Sequence, residues 1–258
     1  MQNLLQDIIL GNVFAFLVIF MRFGTAVMLM PGIGDSFVPQ PIRLLFILGF
    51  CFVLTPFLAP HLPAMPTNTM ALFSLLTTEA FIGIFIGTVM RIMISALDTA
   101  GLLVSMQASF SNAMIFNPIT ATQGSVIGAV YASLGVTLLL VTDMHHYMLA
   151  GIVNSYQLFP ATGSFANTAD FSQAIVQTVS SSFKVGVQIA MPFIIVGTML
   201  QIGLGFLGRL MPQVQIFFLA QPIQIILSMS ILAVVLSSGI LYWMNGFENV
   251  VTQSLAPR

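Results

Sequence analysis

The hydrophobic residues of this chain are concentrated in long runs that are separated by short polar stretches. Apolar runs of this length, without the alternation of a half-buried strand, favour helices that contact lipid or lie inside a helical bundle. The last two runs are long and little interrupted by charge, whereas the others are short or contain charged residues. The six runs are Ile8–Met30, Leu44–Leu58, Met70–Ala96, Val126–Thr142, Phe183–Leu207 and Ile223–Met244.

This pattern predicts an all-α fold. We expect a membrane-associated bundle of about six apolar helices and helical hairpins, with an irregular central loop, built for a hetero-oligomeric assembly. The second run is the weakest candidate for a membrane span. Leu44–Leu58 would extend only about 22 Å at about 1.5 Å per residue, against roughly 30 Å of hydrocarbon.

Charged residues in or beside the apolar runs point to internal pairing. Arg22, Glu79, Arg91 and Asp98 would each cost a few kcal/mol if they faced lipid, so we expect all four to be buried in protein. Arg91 and Asp98 lie two turns apart on one face of a helix, too far for a direct pair, so their partners should lie on other helices. Pairing of the acids with Arg22 or Arg91 is the favoured interpretation, and a proton relay through Glu79, Asp98 or Asp143 is the alternative.

The stretch 106–125, MQASFSNAMIFNPITATQGS, differs from everything around it. It is rich in Ser, Asn, Thr and Gln, carries no charge and contains Asn117-Pro118, yet apolar runs lie on both sides of it. Irregular backbone cannot face lipid, because each unpaired N–H and C=O costs several kcal/mol there. We therefore predict a loop that is buried in protein or lines a pathway.

Composition changes the picture by excluding several classes of protein. Only 5% of the 258 residues are charged, the mean hydropathy is +1.04 and the formal net charge is −1. Soluble domains average about 25% charged residues, so a membrane protein or an obligate complex is favoured. The chain offers no basic patch for a nucleic acid.

Two glycine patterns favour helix packing. Gly83 and Gly87 form a small-xxx-small pattern that lets another helix approach closely. Gly203, Gly205 and Gly208 match a dinucleotide fingerprint, but they lie in a continuous apolar run with no preceding strand and no acidic residue about 20 positions later. We interpret this second pattern as helix packing as well.

Candidate chemistry is sparse. Asp143, His145 and His146 are a possible metal site, but adjacent histidines should point to different faces of a helix, so we favour a polar helix end. The chain has no G-x-S-x-G, H-E-x-x-H or phosphate-binding loop motif. We expect no enzyme activity, no cofactor and no metal.

Three stretches, read together, resemble the FliR family, the R component of the flagellar type III export gate. The first is Met21–Phe50, with its Arg, Pro-Gly, Val-Pro and Ile-Arg in order. The second is SMQASFSNAMIFNP followed by TDMHHYML. The third runs from KVGVQIAMPF through GRLMPQVQIFFLAQPIQI, in which Arg209, Pro212-Gln213 and Phe217 carry the pattern R-x-x-P-Q-x-x-x-F.

The resemblance implies an export-gate subunit of the bacterial inner membrane and flagellar basal body. Its partners would be the P and Q subunits (FliP and FliQ), FlhB, membrane lipids and the unfolded flagellar subunits in transit. It further implies a single domain in which residues 1–182 hold the plug-like loop and 183–258 form a hairpin resembling the Q subunit. The implied plug residues are Phe110, Ser111, Asn112, Met114, Phe116, Asn117 and Pro118, and the implied hairpin tip is Arg209, Pro212, Gln213, Phe217 and Pro222.

Other functions remain open on the sequence alone. The related T component of virulence injectisomes is the nearest alternative. A secondary transporter would also use broken helices and buried charges, although we find no inverted repeats. A lone channel or a purely structural scaffold is also compatible with the pattern.

Overall fold

The fold of the chain is all-α, as the sequence predicts. The computed structural model describes residues 2–110, 125–161, 168–211 and 216–255. Within these ranges there are seven α-helices and one 3-10 turn, Ala59–His61. The helices are α1 (Gln2–Leu29), α2 (Gln40–Leu58), α3 (Thr69–Gln107), α4 (Val126–Val141), α5 (Met144–Leu158), α6 (Thr168–Leu210) and α7 (Ile216–Leu255).

Several of these helices have the length and composition of membrane spans. Five qualify within the described residues, or six if the bent pair α4 and α5 counts as one span. The five are Leu10–Leu29, Gln40–His61, Thr69–Gln107, Phe171–Leu210 and Ala220–Val251. The prediction that only the last two runs are clean spans is therefore too narrow.

The second apolar run is longer than predicted. Together with the following 3-10 turn, α2 forms a stretch of 22 residues, Gln40–His61, which is long enough to cross a bilayer. The sequence reading places the helix start too late because Pro39 and Pro41 look like helix breakers. Pro39 is in fact the N-cap and Pro41 lies in the first turn, where a missing N–H removes no helical hydrogen bond.

The other helix ends show how far an apolar run predicts a boundary. α1 ends at Leu29, two residues before Pro31, and the following Gly32 has a φ of 90°. α3 continues past the predicted end at Ala96 as far as Gln107. α5 is a separate helix in a region where the sequence predicts no further element, because its polar residues conceal its buried face.

The last two helices leave a shorter connection than predicted. α6 has 43 residues and continues through Pro192, and α7 has 40 residues with Pro222 inside it. The predicted apolar runs end at Leu207 and resume at Ile223, so they leave residues 208–222 as a connection that is too long at both ends. A proline removes only one helical hydrogen bond, so it does not end a helix this long and apolar.

The described chain divides into two compact units. Unit 1 comprises Met1–Ile92, Leu139–Thr178 and Glu248–Arg258, and unit 2 comprises Met93–Leu138 and Val179–Phe247. In unit 1, the rings of Phe85 and Phe171 meet edge to face with centroids 4.6 Å apart. In unit 2, Trp243 is fully buried and its indole N–H donates to the carbonyl of Met93 at 2.7 Å.

Candidate functional site

The polar centre of unit 1 is a buried ion pair between α1 and α3. Arg22 Nε donates to Glu79 Oε2 at 2.7 Å, and Arg22 Nη2 donates to Glu79 Oε1 at 2.9 Å. The two side chains are 0% and 1% exposed, respectively. This bidentate geometry is the strongest form of the arginine–carboxylate pair, and it confirms the predicted pairing of Glu79 with Arg22.

The remaining donors of Arg22 reach the end of α5. Nη1 donates to Ser155 Oγ at 3.2 Å, and Nη2 also donates to the carbonyl of Phe159 at 2.8 Å. The guanidinium carbon lies 3.9 Å from the centroid of the Tyr156 ring. Arg22 therefore joins three helices, and its charge is balanced in place, which favours a structural role for the pair.

Close packing of α1 against α3 brings these groups together. A Cβ atom at Gly83 would overlap the backbone carbonyl of Arg22, and one at Gly87 would lie 2.8 Å from the carbonyl of Ala26 and 2.7 Å from Leu29 Cβ. No larger residue fits at Gly83 without moving backbone. The prediction of small-xxx-small packing is confirmed.

The other two predicted buried charges are exposed. Arg91 is 50% exposed and pairs with Asp35, which lies in the connection between α1 and α2. Asp98 is also exposed. The described chain by itself buries neither side chain, so the burial of Arg91 and Asp98 within an assembly stays a prediction.

Asp35 also orders its own connection. Its second carboxylate oxygen accepts from the amide of Gly32 at 2.8 Å. Arg43 donates to the carbonyls of Gly34 at 2.9 Å and Val38 at 2.8 Å. These bonds satisfy the backbone of a turn that contains two helix-breaking residues, Pro31 and Gly32.

The first end of the predicted plug loop is fixed in unit 2. α3 ends at Gln107, and Ser109 follows in the left-handed conformation with a φ of 60°, which terminates the helix. The side chain of Gln224, from α7, donates to the backbone carbonyl of Gln107. From α6, Gly197 lies so close that a Cβ there would be 2.6 Å from Gln107 Oε1. Both long C-terminal helices thus contact the base of the loop.

The second end of the loop is fixed in the same unit. Ser125 is the N-cap of α4, because its Oγ accepts from the amide of Gly128 at 3.0 Å. The same hydroxyl donates to the carbonyl of Gly101 at 2.9 Å. A Cβ at Gly101 would overlap the backbone of Gly128, so α3 and α4 cross in direct backbone contact.

Of the predicted plug residues, Phe110 lies within the described chain. It is half-buried, and its amide donates to the carbonyl of Ser105 at 3.1 Å. The remaining plug residues lie outside the described residues: Ser111, Asn112, Met114, Phe116, Asn117 and Pro118.

Only part of the predicted hairpin tip lies within the described residues. Arg209 lies in the last turn of α6, and Phe217 and Pro222 lie within α7 rather than in the connection. Pro212 and Gln213 lie outside the described residues. The three glycines Gly203, Gly205 and Gly208 face open space within the chain, so their predicted packing is not an internal contact.

Sequence reasoning missed the residues that hold these sites. Ser155 and Tyr156 at the ion pair, and Gln224 at the loop, are single polar residues in apolar helices. The available signal is their position, because a polar side chain inside an apolar run must find an internal partner.

Comparison with known proteins identifies the class. A family described as "Bacterial export proteins, family 1" matches residues 13–250. The flagellar biosynthetic protein FliR of Caulobacter vibrioides is 37% identical over 240 residues, which cover 93% of this chain and 95% of the relative. FliR of Bacillus subtilis is 27% identical over 227 residues, 86% of each chain. Yop proteins translocation protein T of Yersinia pestis is 25% identical over 163 residues, 63% of this chain and 62% of the relative.

The all-α fold with several apolar spans thus defines a membrane protein of the bacterial export class. Within that class, the chain belongs to the FliR family, which is the family that its three sequence stretches resemble.

Proposed function

We propose that this chain is the R subunit of the flagellar type III export gate and that residues 106–125 help to close the passage for exported chains. Membership of the FliR family supports the first part. The observation that carries the second is the fixation of both ends of the loop, at Gln107 and at Ser125, by helices of one compact unit.

The chemistry of the loop suits a reversible closure. Phe110, Met114 and Phe116 supply bulky apolar groups that exclude ions and water, while Ser111 and Asn112 supply hydrogen-bonding groups for the backbone. The loop carries no charge, so it has no fixed site that would retain an unfolded chain of either sign. In the sequence, Asn117-Pro118 disfavours helix at the residue before the proline, which suits an irregular segment.

The surface of the C-terminal helices suits a subunit of a larger assembly. Each of the two C-terminal spans contains an apolar stretch of 18 residues. Within the chain, only 22% of this stretch is buried in Phe171–Leu210 and 17% in Ala220–Val251. Such surface requires lipid or other subunits. We infer that residues 183–258 act as a Q-like hairpin against the P and Q subunits and FlhB, with a contact region at Arg209, Pro212, Gln213, Phe217 and Pro222.

We infer that the protein lies in the bacterial inner membrane at the flagellar basal body. Its substrates are unfolded flagellar subunits in transit, and its role is structural and gating rather than catalytic. The ion pair of Arg22 with Glu79 serves the fold in this account, because both partners are fully engaged with each other.

Native mass spectrometry after co-expression with the P and Q subunits tests the gate assignment. We expect one copy of this chain in a complex with several P and Q subunits in mild detergent. A monomer or homodimer that does not bind these partners would contradict the assignment and favour a transporter or a lone channel.

A further inference from the structure

A compact group of potential ligands lies where α5 begins. Asp143 directly precedes the helix in a left-handed conformation, with φ 59° and ψ 14°, and His145 and His146 follow in the first turn. We call Asp143, His145 and His146 the Asp–His cluster. One ligand atom from each residue lies within 4.8 Å of the other two.

This geometry corrects the expectation that adjacent histidines diverge. The rings of His145 and His146 have centroids only 4.1 Å apart. Both residues lie in the first turn of α5, directly after Asp143.

The distance between Asp143 Oδ1 and His146 Nδ1 is 3.5 Å. This is longer than an ordinary N–H···O hydrogen bond of about 2.7–3.2 Å. It is close to the roughly 3.3 Å that separates two ligands of a tetrahedral ion with bonds of about 2.0–2.1 Å. The pair is thus spaced for a shared ion.

His145 provides an independent observation. Its Nδ1 atom is buried and has no hydrogen-bond partner among the described residues. A buried polar atom without a partner costs about 1–3 kcal/mol, so native structures rarely leave one unsatisfied. The other two side chains are open to solvent, with Asp143 73% and His146 68% exposed, so an ion can reach the cluster.

We propose that the Asp–His cluster binds a divalent transition-metal ion of the zinc class. One carboxylate oxygen and two imidazole nitrogens favour Zn²⁺, Ni²⁺ or Cu²⁺ over Mg²⁺ and Ca²⁺, which prefer oxygen ligands. Three protein ligands leave a fourth position for water or for a group from another subunit. The site stands apart from the export role, so either proposal can fail without the other.

The test is a metal titration of the full-length chain, purified in mild detergent with a histidine-free affinity tag and stripped with a chelator. Co²⁺ serves as the spectroscopic probe, because tetrahedral coordination by nitrogen and oxygen gives visible absorption, and Zn²⁺ is then used to displace it. We expect one ion per chain.

Three substitutions locate the site: His145→Ala, His146→Ala and the isosteric Asp143→Asn. Each should weaken binding by at least about tenfold, with the helix content unchanged by circular dichroism. His61→Ala removes the remaining histidine, which is exposed and outside the cluster, and should leave binding unchanged. Co²⁺ binding that survives all three substitutions, or that is lost in His61→Ala, would overturn the proposal.

Discussion

The side chain of Gln224 in α7 donates a hydrogen bond to the backbone carbonyl of Gln107, the last residue of α3 and the second residue of the predicted 106–125 loop. Gln224 is only 6% exposed, so water cannot easily replace it. The bond fixes the point at which regular helix gives way to the 106–125 segment.

Removing this bond should make the loop less rigidly held without unfolding the subunit. Gln224→Ala leaves a partly buried carbonyl without its donor, and this should lower the unfolding free energy by roughly 1 kcal/mol. We expect increased ion leakage through the assembled gate, measured as loss of membrane potential in cells. Gln224→Glu should leak at least as much, because an ionised carboxylate cannot donate to the carbonyl. Gln221→Ala, one residue before Pro222 on the same helix, is the control; leakage equal to that of Gln224→Ala would contradict the role of this bond.

Ser125 at the other end of the loop gives a second prediction. Ser125→Ala removes both the N-cap of α4 and the bond to Gly101, and should lower the unfolding free energy by about 1–2 kcal/mol. Ser125→Thr retains the hydroxyl and should lose less. Thermal unfolding in detergent measures both variants, and equal losses would show that the hydroxyl contributes nothing.

The buried ion pair should dominate the stability of unit 1. Arg22→Ala leaves the buried Glu79 without its partner and should lower the unfolding free energy by about 3–5 kcal/mol. Arg22→Lys keeps the charge but loses the bidentate fork, so it should rescue only part of this loss. Arg91→Ala, which breaks an exposed pair, should cost at most about 1 kcal/mol.

A double-mutant cycle separates pairing from packing at the same site. Arg22→Met combined with Glu79→Leu removes both charges and should be less destabilising than the sum of the single substitutions. Simple additivity, measured by thermal unfolding, would mean that the two side chains do not interact.

The glycines of α3 provide a test of close packing. In a helix interior, Ala is normally favoured over Gly by about 1 kcal/mol. Gly83→Ala should nevertheless destabilise the protein, because its Cβ would overlap the backbone of α1. Gly11→Ala and Gly49→Ala, where no atom lies within 4 Å, should be neutral or stabilising. Gly83→Ala behaving like these controls would contradict the close approach of α1 and α3.

Much of the fold follows from the apolar runs, because a long hydrophobic run without alternation has few alternatives to a helix. The boundaries follow less well. Pro41 and Pro222 look alike as helix breakers, yet one occupies a first turn and the other lies inside a 40-residue helix. A single sequence does not reveal which proline a helix tolerates, since that depends on how the freed carbonyl is satisfied.

In the candidate sites, too, some features could be predicted from the sequence and others could not. The burial and pairing of Arg22 and Glu79 could be predicted because an ionised group in an apolar helix needs a partner. The rule does not say which face of a helix is covered or by which chain, and the described chain by itself leaves Arg91 and Asp98 exposed. Gln224 lies 117 residues from Gln107 and carries no motif. Such long-range contacts depend on tertiary packing that residue types do not specify.

Replacement of residues 110–118 with a Gly-Ser linker of equal length tests the central claim most directly. The measurement is ion leakage through the gate assembled with its P and Q subunits, with complex formation checked by native mass spectrometry. A control replaces the three residues 63–65, in the exposed connection before α3, with Gly and Ser. We predict that the loop replacement assembles and leaks while the control assembles and stays closed. An assembled gate that remains as tight as the unmodified one after the loop replacement would contradict the closing role of the 106–125 segment.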